Sequence, residues 1–140
     1  MATKLKAEYK KAITEDFAFA AKMMKENVPF DAKLFYFSST FGTVSRILNA
    51  AFDSHLALIY MLLTTVHSNV LGRVVAMKGG EQSFPLKEDF FDRLGAEIEE
   101  LAARLKNDAD TGDVLEKIAL LAFATTGNGY YLLQKGMFTI

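Results

Sequence analysis

Residues 34–77 read LFYFSSTFGTVSRILNAAFDSHLALIYMLLTTVHSNVLGRVVAM, and their only charged side chains are Arg46, Asp53 and Arg73. No proline interrupts them, and the internal glycines are Gly42 and Gly72. One helix from Ala32 to Lys78 would extend about 70 Å at 1.5 Å per residue, longer than a domain of this size. The stretch therefore predicts two helices broken near Asn49–Ser54, where Asp53 and Ser54 are both good capping residues. Leu56–Val66 within it is apolar almost all round. Such a helix must lie centrally or be covered by another chain.

The flanking segments differ in charge. Residues 1–33 carry twelve charges and residues 78–117 carry seventeen, so both read as helices with a wet face, whereas 118–140 hold only Lys135. Leu5, Tyr9, Ile13, Phe17, Ala20 and Met24 recur at steps of four and three, predicting a first helix over Thr3–Glu26. Asn27-Val28-Pro29 stops it, and Asp31 is the expected cap of the next. Gly79-Gly80 ends the charge-poor stretch, Glu81–Phe84 reads as a loop, and Pro85 is expected in the first turn of a helix reaching Lys106. Glu88 and Asp89 suit the positive end of that helix dipole. Phe91, Leu94, Ile98, Leu101 and Leu105 form its inner seam. After a polar turn at Asn107–Gly112 a last helix starts near Asp113, with Glu116 at capping-box spacing, and Gly127-Asn128-Gly129 marks a bend or an end. Nothing alternates as a strand would. The expectation is a single all-α domain over residues 1–140, a compact antiparallel bundle of about five helices with a central apolar hairpin.

With a net charge of −1, non-specific attraction to nucleic acid or anionic lipid is not expected. Cysteine is absent, which excludes disulfides and thiolate metal sites. The N-terminus lacks the apolar core of a signal peptide, so a cytoplasmic protein is expected. The clean apolar run Leu56–Val66 is shorter than the ~20 residues a membrane span needs. A bundle of five helices offers about one fully central position, yet Leu56–Val66 and Ile118–Ala124 both ask for it, besides Phe-rich Leu34–Phe41. A homodimer covers the remainder, and C2 symmetry is the commonest closed form.

Two clusters could carry chemistry. Arg46, Asp53, Tyr60 and His67, with Asn49 and Thr64, fall at helical steps and would form one polar stripe if the helix were continuous, with Arg46 and Asp53 as its natural ion pair. Either a polar pocket or an ion pair setting helix register follows from that stripe. His55 and His67 are twelve residues apart and turned about 120° from each other, so one helix cannot offer both to a single metal. The second cluster is acidic: Glu97 and Glu100 on one helix, Asp110 and Asp113 opening the next. Four converging carboxylates suit Mg²⁺ and a triphosphate. This stretch of about forty residues resembles the MazG-like all-α nucleotide pyrophosphohydrolases, which carry an EExxE…ExxD pattern across two such helices. The resemblance implies metal-ligand roles for Glu97, Glu100, Asp110 and Asp113. Ala96 stands where the pattern has its first acidic residue, Asp110 replaces a Glu, and the interval is short. The ordinary reading sets Glu100 with Arg104 as a surface pair and the two aspartates as caps.

The residues thus favour a non-catalytic, self-associating bundle acting as a binding or scaffold subunit, with no cofactor. A Mg²⁺-dependent nucleoside triphosphate pyrophosphohydrolase and a small helical subunit of a nucleoprotein complex are the alternatives. The basic patch Lys4, Lys6, Lys10 and Lys11 alternates with Glu8 and Glu15, which argues for a solvated face over RNA contact.

Overall fold

The structure, a computed structural model, describes residues 5–80, 86–87 and 89–140. It is all-helical, with no strand among the described residues, and has six packed helices: α1 Ala7–Met24, α2 Phe30–Ala50, α3 Ser54–Lys78, α4 Phe90–Lys106, α5 Gly112–Ala124 and α6 Gly127–Gln134. Helix α1 packs on α2 and α4, α2 on α3, α3 on α5, and α5 on both α4 and α6. Followed in order, these pairings close a ring of α1, α2, α3, α5 and α4, with α6 leaning on α5.

The break inside the charge-poor stretch lies where the capping residues predict it. Ala51 and Asp53 adopt extended backbone, and the Asp53 carboxylate accepts a hydrogen bond of 2.9 Å from the Leu56 amide. That bond satisfies one of the orphan donors of α3's first turn. On α1, Ile13, Phe17, Ala20 and Met24 are all buried, as their spacing requires. On α4, Phe91, Leu94, Ile98, Leu101 and Leu105 are buried as one seam. Helices α1 and α4 approach so closely that a Cβ on Gly95 would lie 3.1 Å from the Ala21 carbonyl oxygen. Here glycine is needed for the packing. A single core cluster draws on α1 through α5, with Phe17, Phe37 and Phe91 among its fully enclosed side chains. Each such side chain contributes about 1.5–3 kcal/mol of transfer free energy.

Several expectations need correction. The bundle has six helices instead of five, because the last one splits: Thr126 is extended, and its hydroxyl accepts from the Gly129 amide at 2.9 Å. Gly129 also lies against the end of α5, where a Cβ would fall 1.7 Å from the Phe123 carbonyl oxygen. Helix α4 begins at Phe90, with Leu86 and Lys87 outside it. The expected Glu81–Phe84 loop and the expected roles of Pro85 and Glu88 lie outside the described residues, as do Thr3 and Lys4. Asp31 sits in the first turn of α2 and pairs with Lys78 at 2.6 Å, leaving the cap position to Pro29. Helix α5 is capped at Thr111, two residues before Asp113. The α2–α3 pair is part of the ring wall, and α3 is enclosed on its inner face only.

Candidate association surface

The residues of the expected polar stripe divide between two helices, so they do not form one face. Arg46 is exposed and donates to the Thr43 hydroxyl at 3.1 Å, while Thr43 donates to the Asp16 carboxylate of α1. Asp53 is engaged as the α3 cap, and no ion pair joins it to Arg46 among the described residues. The chain reversal at Ala51–Asp53 breaks the register the pair would have needed. Tyr60 and His67, about two turns apart on α3, both touch Phe41, with ring centroids 6.4 and 5.1 Å from it. Phe37 lies 6.1 Å from the imidazole. Burial in this aromatic seam holds the His67 imidazole below its ordinary value. The seam is a helix–helix contact.

The acidic cluster does converge, but on cations. Arg104 reaches Asp113 at 2.8 Å, Glu100 at 3.2 Å and the Asp110 carbonyl oxygen at 2.6 Å. Lys117 lies 3.5 Å from Glu100 and 3.8 Å from Glu97. The Asp110 carboxylate turns back to accept from the Gly112 amide at 3.0 Å. Among the described residues no group of three or more His, Asp or Glu side chains is placed to hold a metal ion. The four carboxylates therefore do not fit a Mg²⁺ centre, since Arg104 and Lys117 occupy the space between them. Glu97 differs from the rest: its Oε2 is buried without a hydrogen-bond partner, in an open groove lined by Arg93, Lys117 and Leu120. Burial pushes its carboxyl above the ordinary value, Lys117 opposes that, and Glu100 and Asp113 add to the rise.

The least ordinary surface lies on α3. Leu56, Ile59, Leu63, Val66, Val70 and Val74 face the core, while Asn69 and Arg73 bond to the Ala122 and Thr125 carbonyl oxygens of the α5 end at 3.0 Å each. Tyr60 and His67 face α2. Leu58, Met61, Thr65, Ser68, Gly72 and Val75 form a row that points outward, all exposed, and Leu71 is exposed beside it. The row's steps alternate three and four, the pattern of a coiled-coil seam. Leu58, Met61 and Val75 are 50%, 58% and 61% exposed, and no charged residue lies on α3 before Arg73. Phe35, on the neighbouring helix α2, is 68% exposed. These exposed apolar side chains, with Thr65 and Ser68 between them, make the outer face of α3 the candidate interaction surface.

Two glycines support that reading. A helix-interior glycine costs roughly 1 kcal/mol relative to alanine, so it calls for a reason. Gly95 has one in α1. Gly42 and Gly72 have none among the described residues, because a Cβ at either would meet nothing within 4 Å there. Both fall on the outer side of the α2–α3 pair. The outward stripe was present in the residue spacing of 58–75, but the apolar residues on the inner face of α3 masked it.

By length and composition α3 is also long and apolar enough to cross a membrane. Comparison with known protein families, with curated proteins and with solved structures finds no match for the chain.

Proposed function

We propose that this protein is a self-associating helical bundle that acts as a non-catalytic binding or scaffold subunit, with the outer face of α3 as its association surface. The observation that carries this is the uncharged row from Leu58 to Val75, left exposed by the other described residues. The bundle is read as antiparallel. Supporting this, Asp31 at the start of α2 pairs with Lys78 at the end of α3, and Lys10 early in α1 pairs with Asp108 just past α4. Self-association fits a surface of near-zero net charge better than nucleic-acid binding does.

Sedimentation of the purified chain at micromolar concentration tests the proposal. A dimer that Met61→Glu converts to a folded monomer is the supporting result. A monomer throughout the micromolar range overturns it, as does co-flotation with neutral lipid vesicles that Met61→Glu abolishes. Pyrophosphate release from nucleoside triphosphates with Mg²⁺, lost in Glu100→Gln, would replace it with the enzyme reading.

A further inference from the structure

Resting on the self-association reading, we infer that the partner is a second copy of this chain, docked with its α3 antiparallel about a two-fold axis between Thr65 and Ser68. The reason is the order of sizes along the outward row. An antiparallel pairing about that point sets Leu58 opposite Val75, Met61 opposite Gly72 and Thr65 opposite Ser68. The longest side chain of the row then faces the one position with no side chain, and open space lies above that glycine. A parallel pairing sets Met61 against Met61 and Gly72 against Gly72, crowding one level and leaving a gap at the other. Knob and hole match only in the antiparallel register.

The neighbouring helix follows the same operation without further adjustment. Phe41 contacts both Tyr60 and His67, which places it level with residues 63–64 of α3. The axis, three residues further along α3, therefore passes near Ser38 of α2. Rotation about it brings exposed Phe35 to the level of Gly42 in the other copy, where a Cβ would again meet nothing. The same rotation brings Arg46, which has no ion pair among the described residues, to the level of Asp31 across the interface. Side-chain size is complementary at two separate places under one symmetry operation, and Arg46 reaches the level of the Asp31–Lys78 pair.

The area is adequate. Leu58 to Val75 spans about 25 Å at 1.5 Å per residue, and two adjacent helices are about 20 Å across, giving a footprint of about 500 Å² before surface relief is counted. A standard interface buries about 800 Å² of accessible surface on each partner, and a corrugated helical face of that footprint approaches it.

The chain contains no cysteine, so single cysteines report the register directly. Mixing Leu58→Cys with Val75→Cys, or Thr65→Cys with Ser68→Cys, should give disulfide-linked heterodimers on mild oxidation, because facing Cα atoms fall within bridging range. Leu58→Cys alone should not cross-link, its two copies being about 25 Å apart. Gly72→Leu should weaken dimerisation at least tenfold while the helical content of the monomer stays unchanged. A dimer in which Leu58→Cys links to itself, or whose dissociation constant Gly72→Leu leaves unchanged, overturns this register while sparing self-association. Absence of any dimer overturns both.

Discussion

His55 Nε2 lies 2.7 Å from the Thr111 hydroxyl, tying the first turn of α3 to the cap of α5 across fifty-six residues of chain. Thr111 is almost fully buried, so this bond is shielded from competing water. It also explains why the Thr111 side chain does not cap its own helix. Thr111→Val keeps the shape and strands the imidazole nitrogen. The expected loss is about 1–2 kcal/mol, read as a lower urea midpoint at unchanged slope.

Glu97 should make the protein more stable once its charge is removed. Its folded carboxyl titrates above the ordinary value of 4.5, so the folded state holds its proton to higher pH than the unfolded chain. Stability therefore falls as pH rises from about 4.5 through the folded value, and the deficit remains at neutral pH. Glu97→Gln should match the wild type near pH 4 and exceed it at pH 7, by no more than about 1 kcal/mol for one under-satisfied buried oxygen. Thermal midpoints of both proteins across pH 4–7 check the sign.

His67 should act in the opposite sense. Its folded value lies below the ordinary 6.5, so the unfolded chain takes up the proton first as pH falls. Stability is intact above about 6.5 and declines below it. Asp31 lines the same groove and Tyr60 lies across Phe41, but the aromatic seam offers no carboxylate bonded to the ring. His67→Gln should flatten the decline between pH 7 and 5.5, a window above carboxylate titration. Chemical denaturation at fixed pH steps measures it.

The helix glycines should respond unlike one another. On the monomeric Met61→Glu background, Gly72→Ala should raise stability by about 1 kcal/mol, since the new methyl group meets nothing and helix propensity improves. Gly95→Leu should lower it by about 2–3 kcal/mol, because Ala21 of α1 and Lys25 just past its end crowd the position. Calorimetric midpoints of the two variants separate the cases.

Much of the fold is legible in residue order because helices are local. The seam of α4 and the inner row of α1 follow from spacing alone, and the Asp53 break from a capping residue and a length argument. The site is less legible for two reasons. Tyr60 and His67 both touch Phe41 only because α2 returns alongside α3, and Arg104 and Lys117 lie among the acidic carboxylates only because α4 packs on α5. Thr111 falls in the polar turn Asn107–Gly112, and a partner fifty-six positions away leaves no local trace.

Residue order by itself determined that the chain is helical, where the charge-poor stretch divides, and that its middle helices carry more apolar surface than one face can use. Periodicity encodes these, and periodicity is a property of neighbours in sequence. Only the tertiary structure decided which side of α3 stays wet, because apolar residues recur on both sides of it and what packs against each row decides its exposure. Leu63 is enclosed and Met61, two residues earlier, is open to solvent. That difference belongs to the ring of helices, not to either residue.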